Sequence, residues 1–507
     1  EWGPLSQERH KYGIASGDPF VREIALTFDD GPREHGVQEI IEVLGSYDVK
    51  GTTMISTSVI KIIAKLYNHP ITTDECLDYI QSKGYWSQDP WLSMKFAEFY
   101  EKLSGTHQDG ENILTWELDT EKGDLKISGN GIIPNNIGWW KRHFSIKNII
   151  VEGDFQSIQE NAFKDCSQLK KVSIKNLNTG NVRTMESLFE NCNNLVSIDL
   201  LNFDGSSLTT MYSMFKGCEK LKSIDLSSFK TPKLEKVDYL FSGCSSATDI
   251  HIENLDISNV EDISYMFNHC EKLEKIDIKH FKTSKVTAAL NTFAHCLSLT
   301  SLNISGFDFS QVTSMNCFFN NCISLKSLNI SNLKTGKLET TLNLFTGCSN
   351  LTSLDLSNFV FGTEKAFMAG MFEGCKSLSK LNTSNFTVNN VMIMYNMFKD
   401  CESLTSLDLS GLNTTIVISM GELFSGCKKL ESINFGENFK TNNAAIMSYM
   451  FSDCHNLKEI DLTKFNTSSV ENMERMFYSC NNLEVLDLSS FYTENCHNFI
   501  NMFGNIS

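Results

Sequence analysis

Apolar and polar positions follow a 26-residue pattern that recurs along most of the chain. In one copy, residues 260–281, the first apolar side chains lie three or four positions apart: Val260, Ile263, Met266, Phe267, Cys270 and Leu273. That spacing is typical of one face of a helix. Ile276 and Ile278 then alternate with Asp277, as residues of a strand do. The pattern predicts one short helix and one short strand in each repeat.

A cysteine marks every repeat, at Cys166, Cys192, Cys218, Cys244, Cys270, Cys296, Cys322, Cys348, Cys375, Cys401, Cys427, Cys454 and Cys480. A unit this small cannot bury its own apolar face, and a fixed period in the twenties is typical of leucine-rich-repeat-type solenoids. We therefore predict an α/β repeat solenoid of about 13 coils over residues 145–507, with one continuous parallel sheet. We expect the sequence to stop within a coil, since a fourteenth cysteine would fall at Ile506.

The 16 cysteines are compatible with two arrangements. Neighbouring coils would bring cysteine Cα atoms close enough for disulfide bonds. However, the repeat cysteines are odd in number and lie on the apolar face of each repeat, where free cysteine is commonly buried. We predict a reduced internal ladder of thiols.

Net charge and hydropathy argue against two classes of protein, those that bind nucleic acid and those that span a membrane. The net charge is −17 and no basic run is present, which argues against nucleic acid as a partner. No stretch of 18 apolar residues exists, so we expect no membrane span.

The chain before the repeats contains a strand–turn–helix pattern. Residues 24–28 are an apolar run, residues 29–32 read Asp-Asp-Gly-Pro, and residues 37–44 have helical spacing. The sequence Thr-Phe-Asp-Asp-Gly-Pro at residues 27–32 resembles the first motif of NodB-type polysaccharide deacetylases. The resemblance extends over about residues 20–75. It implies a small partial β/α segment with Asp29 as general base. Asp30 would then bind a divalent metal, commonly zinc, for hydrolysis of acetyl groups on glycans.

The second motif of that family, His-Ser/Thr-x-x-His, is incomplete here. His69 matches its second histidine, but Lys65 stands where the first should be, and a lysine cation is no metal ligand at neutral pH. A catalytic zinc needs three protein ligands, so an active site would require His35 or His107 as well. We interpret residues 1–110 as a partial deacetylase-like segment. An extracellular metal-dependent deacetylase, a hydrolase of non-peptide C–N bonds in chitin-type or peptidoglycan-type polymers, is the alternative.

A β-hairpin is predicted where the repeats begin. Residues 113–118 and 124–128 alternate apolar and polar residues about a Gly-containing turn, and we assign residues 111–144 as a cap of the first coil. Two features resemble BspA-like leucine-rich-repeat surface proteins. They are the segment at residues 123–134 and the later repeat pattern Met-Phe-x-x-Cys-x-x-Leu-x-x-Ile-Asp-Leu-Ser-x-Phe. This resemblance covers about residues 123–507 and implies an extracellular or cell-surface protein that binds protein or glycan partners.

The predicted strands place one polar column on the outside of the solenoid. In Ile224-Asp225-Leu226 the aliphatic side chains point inward, so Asp225 points outward. The candidate binding residues in this column are Asp199, Asp225, Asp277, Asn303, Asn329, Asp355, Asn382, Asp408, Asn434, Asp461 and Asp487. A column of serines lies two residues earlier. Calcium or a basic partner could relieve repulsion between stacked carboxylates; alternatively, the polar column only keeps an exposed sheet soluble.

These observations predict a secreted or cell-surface adhesion or recognition protein. Its binding surface would be the solenoid. No cofactor is required by this reading, whereas the deacetylase alternative requires zinc or another divalent metal.

Overall fold

The computed structural model describes residues 104–119, 122–135, 146–174, 179–200, 203–362 and 365–506. The chain divides into two compact units, Glu1–Glu101 and Lys102–Ser507. All described residues belong to the second unit. The predicted NodB-like segment of residues 20–75 lies outside them.

Four longer strands precede the short coils: β1 Ser104–Asp109, β2 Asn112–Asp119, β3 Asp124–Ile133 and β4 Asn148–Ile158. Strands β1, β2 and β3 form an antiparallel meander, and β4 pairs parallel to β3. The predicted hairpin is present as β2–β3, in which Trp116 pairs with Ile127. Gly129 has φ +126° and passes so close to the carbonyl of Ile113 that a Cβ would lie 2.1 Å from its oxygen. Only glycine fits this approach.

Short strands follow, one or two in most coils. Their bounds are β5 Lys171–Ser173, β6 Ser197–Asp199, β7 Ser223–Asp225, β8 Asp249–His251, β9 Ser301–Asn303, β10 Asp308–Phe309, β11 Ser327–Asn329, β12 Lys334–Thr335, β13 Ser353–Asp355, β14 Ala366–Phe367, β15 Lys380–Asn382, β16 Val391–Ile393, β17 Ser406–Asp408, β18 Ser432–Asn434, β19 Glu459–Ile460 and β20 Val485–Leu486. Pairs of these strands are parallel and in register, as in β9 with β11 and β17 with β18. The described chain is therefore a β-solenoid of about thirteen coils.

The prediction of one continuous parallel sheet is wrong. Strands β1 to β6 form one six-stranded sheet, and the later strands form separate two-stranded ladders. Residues 275–277 form no strand. Each short strand has only two or three residues, and hydrogen bonds elsewhere in the coil also hold neighbouring coils together, so strand pairing need not continue from coil to coil.

Buried threonines make one set of these additional bonds. The Thr283 hydroxyl accepts the Asp308 N–H (2.8 Å) and donates to the Asp308 carbonyl (3.2 Å). Thr441 bonds in the same way to Asn466 in the next coil. Each hydroxyl thus satisfies both polar groups of one residue beside the core, where unpaired groups would be costly.

The predicted short helices are also wrong, because none of the described residues is helical. In the coil of Cys218, alternate amides from Met211 to Gly217 donate to carbonyls of the next coil at 2.7–3.1 Å, whereas an α-helix bonds to its own fourth preceding residue. The intervening amides of Met214 and Lys216 donate to the carbonyls three residues back, and that of Tyr212 donates to the Thr210 hydroxyl. Ser213 and Gly217 have φ of +52° and +73°, and such left-handed residues prevent a helix from continuing. The segment is a series of turns.

The core contains a stack of phenylalanines and a ladder of cysteines. One phenylalanine of each coil stacks on the next at centroid distances of 5.0–6.1 Å, in the order Phe163, Phe189, Phe215, Phe241, Phe267, Phe293, Phe319, Phe345, Phe372, Phe398, Phe424, Phe451, Phe477 and Phe503. This geometry is favourable for aromatic pairs.

The repeat cysteines lie beside this stack as buried free thiols. The Sγ of Cys322 donates to the Phe293 carbonyl of the preceding coil at 3.1 Å, and the same bond recurs from Cys192 to Cys480. The buried position agrees with the predicted ladder. Burial also raises the thiol pKa values, to about 12 for Cys296.

Candidate functional site

The predicted polar column lies on a surface that we call the strand face, formed by the short strands and their outward side chains. Register pairs Asn303 with Asn329 and Asp408 with Asn434. The side chains of Asp225, Asp277, Asn329, Asp355, Asn382, Asp408, Asn434, Asp461 and Asp487 are exposed, and those of Asp199 and Asn303 are partly buried. His251 occupies the same column beside Asp225.

Most side chains of this column close a local turn. Asp225 Oδ1 accepts the backbone N–H of Ser227 at 2.9 Å, two residues further on. The same bond is made by Asp277, Asn303, Asn329, Asp355, Asn382, Asp408, Asn434, Asp461 and Asp487. These are Asx turns. One oxygen of each side chain therefore has a structural role, and at Asp277 the second oxygen lies 3.8 Å from Lys279 Nζ.

Hydrogen bonds from these turns stabilise the ionised carboxylates. Bonds from Ser227, Ser357, Thr463 and Ser489 lower the pKa values of Asp225, Asp355, Asp461 and Asp487 respectively. Repulsion from Asp461 opposes this effect at Asp487 but does not reverse it. Much of the carboxylate repulsion that the sequence suggested is thus offset within the chain.

A groove interrupts the strand face where residues 275–277 form no strand. It is open and has a volume of about 600 Å³, and its polar lining includes Asp249, His251, Glu253, Lys275, Lys279 and Asn303. Both charge signs line this one depression. The predicted column residues Asp277, Asn303 and Asn329 also contribute to it.

A second surface, which we call the turn face, was missed by the sequence reasoning. It comprises the side chains at the positions six, five, two and one residues before each repeat cysteine, on either side of the two core residues between them. Tyr239 and Tyr265 stack there with centroids 4.5 Å apart, and Tyr212 meets Tyr239 edge-on at 6.0 Å. His269 and His295 stack at 4.2 Å on the same face. Its side chains vary strongly between repeats, and that variation is the signal that could have identified the surface.

The candidate catalytic and metal residues Asp29, Asp30 and His69 lie outside the described residues, as does His35. His107 lies in β1, opposite Leu114. Across the described ranges, no three or more His, Cys, Asp or Glu side chains converge as a metal site would need. Nor does the described part of the chain contain a helix long and apolar enough to cross a membrane.

One family description matches the repeats. The match is to "Mycoplasma protein of unknown function, DUF285", in five overlapping segments that together span residues 158–507: 158–275, 238–359, 319–435, 363–459 and 408–507. The chain belongs to the DUF285 family. Its family match begins at β4 and covers the cysteine and phenylalanine ladders described above. None of the matches supports the deacetylase-like segment predicted in residues 1–110.

The solved structures similar to this DUF285 chain include two leucine-rich proteins. A leucine-rich repeat protein from Eubacterium ventriosum is 18% identical, with 76% of this chain and 96% of that chain covered and a TM-score of 0.31. A leucine-rich cell surface protein from Faecalibacterium prausnitzii is 16% identical, with coverage of 80% and 98% and a TM-score of 0.33. No curated protein matches the sequence significantly.

Proposed function

We propose that this protein is a recognition or adhesion protein of the cell surface or the extracellular space. Its strand face would bind a protein or glycan partner. The observation that carries the proposal is the groove at residues 275–277, which interrupts an otherwise repetitive polar surface with charged groups of both signs. The resemblance of residues 123–507 to BspA-like surface proteins supports the same role.

The groove offers charged and hydrogen-bonding groups to a partner, together with an apolar part of its lining that includes Ile276 and Leu328. Asp249 and Glu253 can accept hydrogen bonds, Lys275 and Lys279 can donate them, and Asn303 can do both. Charges of both signs in such a groove select a partner of complementary charge and speed its association. The serine and Asp/Asn columns on either side would extend the contact along the coils.

The proposal is tested by binding of the full chain to immobilised extracellular-matrix proteins and cell-surface glycans. A groove variant carries Asp249→Ser, Lys275→Ser and Lys279→Ser. A matched variant carries Glu484→Ser, Lys429→Ser and Lys458→Ser, which changes the net charge equally at exposed positions outside the groove. We expect the groove variant alone to lose binding. Equal binding by all three chains would contradict the assignment of the groove.

A further inference from the structure

We propose that an exposed apolar patch on the coils of Cys375, Cys401, Cys427 and Cys454 binds an amphipathic helix of a partner protein, through the apolar stripe of that helix and a basic turn at one of its ends. The patch lies on a surface that we call the bridge face, which comprises the positions nine and eight residues before each repeat cysteine. The groove lies on the strand face instead. The proposal therefore goes beyond the proposed function and can hold or fail independently of it.

The first observation is where apolar residues occur on the bridge face. In the coils from Cys192 to Cys348, both positions hold polar residues except for Ala288, and in the coil of Cys480 they hold Glu-Asn. The four coils between them hold Ala-Phe, Met-Ile, Ile-Ser and Ala-Ile, at residues 366–367, 392–393, 418–419 and 445–446. Because the other coils form with polar residues at these positions, the packing of a coil does not require apolar ones there.

The second observation is that these side chains are open to solvent. Ile418 is 54% exposed and Ile446 is 39% exposed, and Phe367, Met392 and Ile393 are partly exposed. Strand pairing places Phe367 beside Ile393, and the coils of Ile418 and Ile446 follow in order, so the side chains form one stripe along the solenoid. A contiguous apolar patch on an otherwise polar surface marks an interaction site.

Tyr395 extends the patch onto the neighbouring turn face. Its side chain is 46% exposed. Ala369 and Gly421 hold the same position in the coils before and after, so neither residue can cover the ring. A Cβ at Gly421 would lie 3.3 Å from Cγ2 of Ile446, and Ile446 therefore borders the space that the glycine leaves open. Tyrosine is among the residues that most often dominate the energy of an interface.

The spacing of the stripe fits a helix that lies along the solenoid. Coils stacked through parallel strands repeat about every 4.8 Å, and an α-helix completes a turn about every 5.4 Å. Over four coils, each turn of such a helix would meet one coil with little loss of register. An extended strand returns side chains to one face only about every 6.8 Å, so it would fall out of step with the coils sooner.

Charge at one end of the stripe favours a basic partner. In the coil after the patch, Glu471 holds the first bridge-face position and its side chain is exposed. Glu474 and Arg475 of the same coil both bond to the Tyr449 hydroxyl. In contrast, no hydrogen bond or ion pair within the described residues engages the Glu471 carboxylate. A lysine or arginine in the terminal turn of a bound helix would complement it.

The same charges argue against two other occupants of the patch. A second copy of this chain, packed on it in either direction, would bring Glu471 near Glu339 or another Glu471, because Glu339 holds the first bridge-face position in the coil before the patch. Each copy also has a net charge of −17. An anionic lipid surface would be repelled by the same carboxylates. Lys365 is exposed near Glu339, so the acidic character is stronger at the Glu471 end.

The test measures binding of a fluorescein-labelled model peptide to the full chain by anisotropy. The peptide has leucines at helical spacing over about four turns, glutamines elsewhere and lysines in its last turn. One control peptide has the same composition with irregularly spaced leucines, and the other has glutamates in place of the lysines. We expect the lysine peptide to bind most tightly of the three.

The site variant is Ile418→Thr with Ile446→Thr, because the chain already carries threonine at these two coil positions in Thr313 and Thr340. The matched variant is Val196→Thr with Ile323→Thr, which changes residues that are 44% and 42% exposed outside the patch. We expect the site variant to weaken binding of the lysine peptide about tenfold and the matched variant to weaken it less than about twofold. The unfolding temperatures of both should equal that of the wild type.

A second pair of variants tests the charge. Glu471→Gln should weaken binding of the lysine peptide about threefold without weakening that of the glutamate peptide. Glu431→Gln, at an exposed position outside the patch, should leave both affinities unchanged.

Absence of binding by the lysine peptide, equal binding of the irregular peptide, or equal losses in the site and matched variants would overturn the proposal. Two other outcomes would do so by identifying a different occupant. One is self-association of the wild-type chain in sedimentation that Ile418→Thr with Ile446→Thr abolishes. The other is binding to phosphatidylserine vesicles that the same substitutions abolish.

Discussion

Asn382 donates a hydrogen bond from Nδ2 to Oδ1 of Asp355 in the preceding coil, at 3.0 Å. Asn434 makes the same bond to Asp408 at 3.1 Å. Replacement of every second carboxylate by an amide converts a repulsive pair into an attractive one. The strand face can therefore remain polar and exposed without a bound cation at these coils.

The role of Asp355 can be separated into hydrogen bonding and charge. Asp355→Ala removes the acceptor for the Ser357 N–H and for Asn382, so we expect the free energy of unfolding to fall by about 1 kcal/mol. Asp355→Asn retains an acceptor and should change it by less than about 0.5 kcal/mol. Denaturant unfolding of the full chain measures both. An alanine variant as stable as the wild type would mean that the turn bond contributes nothing.

Replacement of a phenylalanine in the interior of the stack should destabilise the fold more than replacement of one at its end. Phe345 is fully buried between Phe319 and Phe372, whereas Phe503 at the end of the stack is 47% exposed. We expect Phe345→Ala to destabilise by about 3–5 kcal/mol and Phe503→Ala by much less, because only the former leaves a large cavity. Equal effects at both positions in thermal or denaturant unfolding would argue against a continuous stack.

The thiols of the cysteine ladder should be unreactive toward disulfide reagents in the folded protein. They are buried, and burial raises the pKa of Cys166 and Cys480 to about 12 and also raises that of Cys322 well above its usual value. Because the thiolate is the reactive form, a disulfide reagent at pH 8 should modify the ladder only after unfolding. Cys317, which is partly exposed, is the internal comparison. Rapid modification of most of the 16 cysteines in the native state would contradict the buried ladder.

Asp238 should make the protein less stable as pH rises. Its pKa is raised in the folded state to about 6 from 3.8, so its favourable contribution is complete below about pH 4 and is lost as pH rises to about 6. Asp238→Asn should therefore raise the unfolding temperature at pH 7 but not at pH 4.

Asp225→Asn is the control, because it should change stability at pH 7 in the opposite direction from Asp238→Asn. The hydrogen bond from Ser227 lowers the pKa of Asp225, so this substitution should reduce stability at pH 7. The same direction of change in both variants at pH 7 would contradict the assigned environments.

Much of the coil could be predicted from its apolar positions. Val260, Ile263, Met266 and Phe267 are all buried as the pattern indicated, and the outward phase of the Asp/Asn column follows from the alternation of strand residues. Spacing of three and four cannot separate a helix from consecutive turns, since both return side chains to one side. Left-handed residues decide between them, and the recurrent glycines at Gly217, Gly243 and Gly347 were the available signal.

The candidate site was harder to predict. The Asp-x-Ser spacing of residues 225–227 contains the Asx turn, but the alternation of strand residues indicates only an outward polar column, either a ligand surface or a solubilising one. The groove depends on the loss of strand pairing at residues 275–277, which no local pattern marks. The tyrosine cluster arises from register between coils, because Tyr239 and Tyr265 are 26 residues apart and meet only when the coils stack.

We propose above all that the protein recognises its partner through the solenoid surface. The most direct test is the affinity of the chain for that partner. For the strongest-binding surface among matrix proteins and glycans, the dissociation constant should be measured for the wild-type chain, the groove variant and the charge-matched variant. We predict a loss of about tenfold or more for the groove variant alone, with unchanged unfolding temperatures. Equal dissociation constants for all three chains, or no binding to any surface, would contradict the account.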